Sequence, residues 1–451
     1  MFSLSQILAI VIFVLMFAAI ASGKIPRHTA VLAGAGLMIA VVFLGTMHSP
    51  GSLWDYFNLT ALGHTNFWLP GSNAVEAQGF NWQTIIFIGC MMIIVGWLET
   101  AGLFRWLCLY TARLTGYRVI PILISFIILS GFLSMFIGSI TVMLFLSMVT
   151  IELARLLKFD PVPMIIAEIF AANTGGSATL SGDPPNIIVG TAFGFSFTDF
   201  IANTGVIAWA AMVLVIIFFF LVLRKTLKQE TSPAEAAKVS PPPGSAITNP
   251  RAFRLALAVF ALIVVLLITH AYTGLSVAAI GVICAIVSLA LSGKKAGAIL
   301  RGIDWHTLLF FSGLFFCVGG LEVSGVLEKV SEGIGNISHG NTGVAMAMIL
   351  WLSAFLSAFV DNIPFAAAMV PVIRDLSLTG INLPAMAWTL SLGADIGGNA
   401  TPIGASANVV GIAICEKEGY PISWGKFTKY AALLTVLVIG FCHLLLYFRY
   451  A

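Results

Sequence analysis

The sequence predicts an all-α polytopic membrane protein of two inverted-topology repeats, with re-entrant hairpins, broken helices and about 10–12 spans. Three observations predict this class: the composition, the spacing of the apolar runs and an internal repeat. Of the 451 residues, 59% are hydrophobic and 9% are charged, whereas soluble domains carry about 25% charged residues. The mean hydropathy is +1.02. This composition excludes a soluble protein, and the net charge of +3 gives no reason to expect binding to nucleic acid.

Apolar runs of about 17–25 residues, the length that a helix needs to cross a bilayer, recur along the whole chain. Ten uninterrupted runs lie roughly at 5–22, 29–46, 84–101, 119–136, 206–223, 253–271, 275–292, 305–321, 343–360 and 429–448. Four further apolar segments are broken by Gly, Pro or polar residues, near 137–153, 164–192, 363–376 and 386–414. We expect the first run to be a retained span, because nothing basic precedes it and Lys24 and Arg27 follow it.

The second half of the chain repeats the first. Three pairs of segments match in the same order: 79–102 with 302–325, 133–149 with 356–372, and 173–188 with 395–410. The first two pairs are offset by 223 positions and the third by 222, so that Trp82 corresponds to Trp305. This shared order and spacing indicates two related halves, 1–223 and 253–451.

A polar, Pro-rich linker at 224–252 separates the halves. It is rich in Lys and Arg, so the positive-inside rule places it in the cytoplasm, whereas the loop at 47–80 contains neither and is expected outside. The span that begins at Trp82 then runs inward, and its partner at Trp305 runs outward. The halves are therefore predicted to be inverted, as in many secondary transporters, in a multi-pass protein of the cell (inner) membrane.

Two of the broken segments carry turn-forming and polar residues at matching places. Gly175-Gly176 and Pro184-Pro185 disfavour a continuous helix, and the same break recurs at Gly397-Gly398. Backbone that leaves the helix inside a bilayer must be satisfied by protein or by a water-filled cavity. Paired breaks in inverted halves are typical of a transporter's binding site, where freed helix N-termini favour anions and Asn or Asp oxygens favour cations. The alternative that the glycines only permit close helix packing stays open.

Three aspartates, Asp183, Asp361 and Asp395, lie in or beside apolar runs. A charge at mid-membrane costs about 2.5–3.5 kcal/mol on the insertion scale, so such residues are commonly functional. We expect ion binding or proton relay there, and a structural carboxylate satisfied by a partner is the alternative. Glu99 and Glu322, which correspond in the repeat, are interpreted as interfacial or structural.

The segments GGSATLSGDPPN, SAFVDNIPF and GGNATPIGASANVV resemble signature segments of the ion transporter superfamily. The chain is most similar to the branch that includes arsenite/antimonite permeases, sodium/proton antiporters and the P protein, with its citrate-transporter-like domain. The resemblance implies a scaffold part, a transport part with two hairpins, a homodimer and elevator-like movement. Relatives often carry Asp-Asn at the first hairpin tip, where this chain has Gly138-Ser139. The substrate- or ion-binding residues are then Ser139, Asn173, Gly175, Gly176, Asp183, Asn186, Asp361, Asn362, Asp395, Asn399, Thr401 and Asn408.

The expected function is secondary active transport of a small inorganic ion or oxyanion, of the arsenite/antimonite or sodium/proton antiport type. Proton or sodium coupling is expected, with no catalytic residue, resident metal or cofactor beyond a bound Na⁺ or H⁺. A sodium- or proton-coupled dicarboxylate or citrate transporter and a passive channel are the alternatives. An intramembrane enzyme is disfavoured because no histidine lies near Ser177 or Ser181 in the sequence. The expected partners are membrane lipid, the small ionic substrate and a second copy of the chain. The sequence has no P-loop, so ATP-driven pumping by this chain alone is not expected, and a separate soluble ATPase partner stays open.

Overall fold

The computed structural model describes residues 2–22, 24–70 and 79–451, and within these ranges the regular structure is helical. Ten helices of the described chain are long and apolar enough to cross a membrane. The all-α polytopic class is therefore confirmed. Residues 71–78 of the loop that we expect outside lie beyond the described residues.

The described residues of the first half and the linker form thirteen α-helices. These are α1 (Leu4–Ala21), α2 (Arg27–Leu37, continued by a π-helix at Met38–Thr46), α3 (Pro50–Phe57), α4 (Thr65–Trp68), α5 (Trp82–Thr100), α6 (Leu103–Leu114), α7 (Val119–Ile137), α8 (Ser139–Leu157), α9 (Val162–Gly176), α10 (Pro184–Phe193), α11 (Phe197–Phe200, continued by a π-helix at Ile201–Gly205), α12 (Val206–Leu223) and α13 (Pro233–Val239). Short 3₁₀ turns lie at Leu59–Gly63 and Pro243–Ala246.

The second half contains ten. These are α14 (Pro250–Thr273), α15 (Val277–Ser292), α16 (Ala296–Arg301), α17 (Trp305–Val323), α18 (Val326–Ser338), α19 (Thr342–Phe359), α20 (Asn362–Leu378), α21 (Leu383–Gly397), α22 (Ser406–Lys417) and α23 (Trp424–Tyr450). Short 3₁₀ turns lie at Gly293–Lys295 and Gly398–Ala400.

The internal repeat is visible in the helices. α5 and α17 both have 19 residues, and both are followed by a glycine with positive φ, Gly102 at 84° and Gly325 at 77°. A short amphipathic helix follows each, α6 and α18, which the apolar runs did not reveal because 12 and 13 residues are too few to span. At Gly102 a side chain is excluded, since a Cβ would lie 2.0 Å from the Ala246 carbonyl oxygen of the linker.

The first hairpin consists of α7 and α8, which meet at Gly138. This glycine has φ 80° and ψ 144°, a backbone conformation that other residues rarely adopt. The outer ends of the two arms contact the same stretch of the linker: Val119 N donates to Gln229 Oε1 at 2.8 Å, and Glu230 N donates to Leu157 O at 3.2 Å. Both arms therefore end on the linker side, as the predicted re-entrant hairpin requires.

The second hairpin consists of α19 and α20, which meet at Val360 and Asp361. The Asp361 side chain caps α20 by accepting a hydrogen bond from Ile363 N at 3.2 Å. Helix α18 packs on both arms. The segment at 363–376, expected from sequence to be broken, forms most of this continuous arm, which runs through Pro371.

The helices form two groups with a cavity between them. In one group, α1 and α2 pack against each other and against α17 of the second half. In the same group, α14 and α15 of the second half pack against each other, and α15 packs against α5 of the first half. Each half therefore covers a helix of the other. In the second group the hairpins pack on the broken helices, α7 on α9, α19 on α21 and α8 on α22. The linker is partly helical: Ser232 and Glu235 form a capping box at the start of α13, and Ala236 is buried.

Candidate functional site

The first helix break lies between Gly176, the last residue of α9, and Pro184, the first of α10. The freed backbone groups are held by one side chain. Asn186 Nδ2 donates to the carbonyl oxygens of Gly176 at 3.0 Å and of Thr179 at 2.9 Å. Buried carbonyls need such partners in the absence of water. The break is therefore closed on itself by an asparagine in the following helix.

The second break repeats these contacts. Asn408 Nδ2 donates to the carbonyl oxygens of Gly398 at 2.8 Å and of Thr401 at 2.7 Å. The Thr401 hydroxyl donates to the Ala358 carbonyl of the second hairpin, as the Thr179 hydroxyl donates to the first hairpin. Each break is thus fastened to the hairpin of its own half.

The glycines at the ends of α9 and α21 lie against hairpin backbone. A Cβ at Gly175 would lie 2.2 Å from the Gly131 carbonyl oxygen in α7. At Gly397, a Cβ would lie 2.3 Å from Ala354 Cα in α19. Both glycines are still helical, and the breaks begin beyond them. The close-packing alternative accounts for Gly175 and Gly397, whereas Gly176 supplies a carbonyl to the break.

A cluster of carboxylates lies between the hairpin tips and the breaks. Asn362 Nδ2, at the second tip, donates to Asp183 Oδ2 and to Asp395 Oδ1, both at 3.2 Å. The Ser139 hydroxyl, at the first tip, donates to Asp183 Oδ1 at 2.6 Å. The Asp183 and Asp395 carboxyls also interact directly, and all four side chains are buried. Both tips and both breaks therefore meet at one site.

A second cluster joins the two breaks to each other. Asn173 Nδ2, in the last turn of α9, donates to Asn399 Oδ1 and to Asn408 Oδ1, both at 2.9 Å. All three side chains are fully buried. This amide cluster cross-links the halves across the repeat.

The third aspartate, Asp361, is paired with an arginine that the sequence analysis used only as a basic residue following the first apolar run. Arg27 Nη1 lies 2.5 Å from Asp361 Oδ2 and donates to the Ser406 hydroxyl oxygen at 3.0 Å. Ser406 in turn donates to Asp361 Oδ2 at 3.0 Å. Arg27 is the first residue of α2. The signal available in the sequence was a cation directly before an apolar run.

A cavity of about 500 Å³ borders the site and lies between the hairpin tips and helices α5 and α17. Ser139, Asp183, Arg27 and Asp361 line it, and Asp395 lies behind this lining. Its wall continues to Glu99, at the end of α5. This end of α5 adjoins the linker, since a Cβ at Gly102 would lie 2.0 Å from the Ala246 carbonyl oxygen. The cavity therefore extends from the carboxylates toward the side of the linker.

The predicted residues fall into five groups, and Asn408 belongs to two of them. The carboxylate cluster holds Ser139, Asp183, Asn362 and Asp395; the amide cluster holds Asn173, Asn399 and Asn408; the breaks are closed by Gly176, Asn186, Thr401 and Asn408; and Asp361 pairs with Arg27, while Gly175 packs against α7. Glu322, interpreted as interfacial or structural, lies apart, with its Oε1 3.9 Å from Arg374 Nη1.

Comparison with known proteins gives matches along the whole chain. A model of the citrate transporter family (CitMHS) matches residues 15–393. An uncharacterized transporter of Mycobacterium tuberculosis is 31% identical over 450 residues, covering 99% of each chain. The human P protein is 27% identical over an alignment that covers 92% of this chain and 59% of that protein.

Two solved structures are similar in fold. The YdaH transporter of Alcanivorax borkumensis, described as having an unusual topology, gives a TM-score of 0.58 at 15% identity, covering 87% of this chain and 88% of that one. MtrF of Neisseria gonorrhoeae, described among a class of antimetabolite efflux pumps, gives 0.57 at 13% identity, covering 99% and 95%. At these identities the likeness concerns the fold alone.

Proposed function

The chain belongs to the citrate transporter family, and on this basis we propose that it is a secondary active transporter that couples the movement of a small solute to a proton gradient. The observation that carries the proposal is the meeting of two hairpin tips and two helix breaks at buried carboxylates, beside a cavity. Ion-coupled carriers need a site of this kind near mid-membrane, formed by discontinuous helices from inverted halves. Their coupling groups must also be buried and able to change charge.

Charge in the cavity limits the solute that we propose. Its lining includes four carboxyl groups, those of Glu99, Asp183, Asp304 and Asp361. The lining contains one guanidinium group, that of Arg27, and it is already paired with Asp361. A multiply charged anion in such a site would lack paired cations, which is costly in a low-dielectric interior. We therefore place a small inorganic ion or a weakly charged oxyanion of the arsenite type first.

A di- or tricarboxylate is the second candidate, and one observation favours it. Arg27 borders the cavity beside Ser406, the first residue of α22. A helix N-terminus together with a guanidinium can bind a carboxylate. An anionic substrate would then replace Asp361 as the partner of Arg27.

The proposed mechanism of alternating access is movement of one helix group against the other. The hairpins and broken helices, called here the hairpin group, move against the group formed by α1, α2, α5, α14, α15 and α17. Proton coupling is preferred to sodium coupling because one carboxyl of the interacting pair Asp183 and Asp395 can take up a proton while the other stays charged. In the expected orientation, in the cell membrane with the linker in the cytoplasm, this structure is open inward.

The test is a proteoliposome assay with an internal pH-sensitive dye, challenged in turn with sodium, lithium, arsenite, chloride, citrate and succinate. We expect one solute class to produce a proton flux that an Asp183→Asn variant lacks. A proton flux with citrate or succinate alone would establish the second candidate. Solute flux that ignores both proton and sodium gradients would instead identify a passive channel and refute the proposal.

A further inference from the structure

The repeat makes two pairs of residues equivalent, yet their chemistry differs. At the offset of 222 positions, Asn173 corresponds to Asp395, and Asn408 corresponds to Asn186. In one pair, Asn173 Nδ2 donates to Asn408 Oδ1 at 2.9 Å. The other pair, Asp395 and Asn186, lies on α21 and α10, which pack against each other. The repeat therefore predicts that a carboxylate oxygen of Asp395 faces the amide oxygen of Asn186, where the first pair has a donor and an acceptor.

The hydrogen bonds of the second pair agree with this equivalence. Asn186 uses its Nδ2 for the two carbonyls of the first break, so its Oδ1 faces away from them. Asp395 Oδ1 accepts from Asn362, and the Asp395 carboxyl also meets that of Asp183, so we infer that Oδ2 is the oxygen equivalent to Asn173 Nδ2. Asp395 Oδ2 and Asn186 Oδ1 are both buried, and neither has a hydrogen-bond partner in the part of the chain that the structure describes. Two facing acceptors repel each other unless a proton lies between them.

The two interacting carboxyls, Asp183 and Asp395, have opposite surroundings. Asp183 accepts hydrogen bonds from Ser139 and Asn362, and it is the residue directly before α10, where the helix dipole favours a negative charge. Asp395 lies in the last turn of α21, where the dipole disfavours one. Carboxyl pairs whose environments differ in this way divide into one acid and one carboxylate. The third charged group near Asp183 is Asp361, which Arg27 balances.

We propose that Asp395 holds the coupling proton on Oδ2 and donates it to Asn186 Oδ1, while Asp183 carries the negative charge. Binding one proton lets Asp395 complete a bond equivalent to Asn173–Asn408. Loss of the proton makes Asp395 a second negatively charged carboxylate beside Asp183. It also leaves Asp395 Oδ2 and Asn186 Oδ1 facing each other as two acceptors without a proton between them. The inference deepens the proposed proton coupling and rests on it, but it can be tested without a transport measurement.

The test is infrared spectroscopy of the purified protein, because a protonated carboxyl has a carbonyl band that a carboxylate lacks. Glu168 is a further buried carboxyl, outside the site, that accepts a hydrogen bond from Thr150, so the measurements use a Glu168→Gln background. We expect Asp395→Asn to lose one carboxylic-acid band and Asp183→Asn to retain it. We also expect the unfolding temperature of Asp395→Asn to vary less with pH, since its amide can donate to Asn186 without a proton.

A mirror variant supplies the matched control. Asn173→Asp recreates the acid–amide pair in the other half, opposite Asn408, and is expected to add one carboxylic-acid band. An unchanged band in Asp395→Asn, or its loss in Asp183→Asn, would overturn the assignment of the proton to Asp395. A correct spectrum in a protein without proton-coupled transport would uphold this inference and refute the proposed function, so the two failures are distinguishable.

Discussion

At the scale of residues, the site depends on how three aspartates are satisfied. Asp183 accepts hydrogen bonds from two side chains and Asp395 accepts one, whereas Asp361 forms an ion pair with Arg27. A buried carboxylate without a partner is far more costly than one whose charge is balanced. The three residues are therefore chemically distinct, although the sequence presents them alike.

The Arg27–Asp361 pair connects the first residue of α2 to the tip of the second hairpin. We expect Arg27→Gln to lower the free energy of unfolding by about 1–3 kcal/mol, less than for an enclosed pair because Arg27 is one-third exposed (34%). Adding Asp361→Asn should restore part of the loss, since it removes the unpaired charge. The measurement is a double-mutant cycle of denaturation in detergent, with Lys24→Gln as a charge-matched control. Strictly additive losses would contradict the pairing.

The two hairpin tips predict different effects on transport. Asp361→Asn is expected to abolish coupled transport without unfolding the protein. The first tip is formed by Gly138 and Ser139, so Asp361 is the residue that supplies a negative charge at the two tips. Ser139→Ala removes one of the two donors to Asp183 and should reduce the initial rate by about tenfold or less. Rates are compared in liposomes at equal protein amounts. Near-normal coupled transport by Asp361→Asn would remove Asp361 from the site.

At the scale of elements, the helix breaks owe their position to contacts on both sides. Backbone contact between α7 and α9 precedes the first break, and the Asn186 amide closes it. The same arrangement recurs in α19 and α21. Because each break is fastened to its hairpin through a threonine, hairpin and broken helix form one packed element.

Close packing at the end of α9 predicts that even a methyl group is not tolerated. Gly175→Ala would place its Cβ 2.2 Å from Gly131 O, and the overpacking is expected to cost about 1–3 kcal/mol. Gly440 in α23 is the control, since a Cβ there would meet no atom of the described chain within 4 Å. Gly440→Ala should leave stability unchanged or raise it by up to about 1 kcal/mol. Thermal unfolding in detergent compares the two variants, and equal unfolding temperatures would refute the packing role of Gly175.

At the scale of the whole molecule, two groups of helices face each other across the cavity. Polar contacts between the groups include Arg27 with Asp361, Asn81 with Thr191, and Arg374 with Glu322. Alternating access by a sliding hairpin group requires such contacts to break, whereas contacts inside each group persist.

A cross-link between the groups tests this movement. Asn81 Nδ2 lies 2.7 Å from Thr191 Oγ1, so cysteines at both positions should form a disulfide on oxidation. We expect oxidation to stop transport and reduction to restore it. The control is Gly34→Cys, whose Cβ would lie 3.3 Å from Cys317 Sγ within one group. Transport that survives the Asn81–Thr191 cross-link would exclude sliding at this interface.

Membrane orientation is tested with exposed positions. Val239, in the linker helix, is 72% exposed, and Trp54, in α3, is 65% exposed. We expect an impermeant thiol reagent applied to intact cells to label Trp54→Cys and to spare Val239→Cys. Labelling of Val239→Cys from outside would reverse the orientation and, with it, the inward opening of the cavity.

The sequence by itself determined the membrane class, the two related halves and the positions of both helix breaks. These follow from local chemistry: apolar runs need a bilayer, Gly and Pro interrupt helices, and a repeat appears as a constant offset. The same reasoning named Asp183 and Asp395, because polar residues beside breaks in apolar runs are few, whereas Asn362 was named through the resemblance to the ion transporter superfamily.

Only the tertiary structure decided what each of these residues contacts. Arg27 and Asp361 are 334 positions apart, and nothing in either segment indicates the other. The packing of Gly175 on Gly131, and the unpaired oxygens of Asp395 and Asn186, likewise depend on how separate helices of the described chain meet. Composition and periodicity describe one segment at a time, whereas charge balance and hydrogen bonding at a buried site are set by distances between segments that only the packed fold brings together.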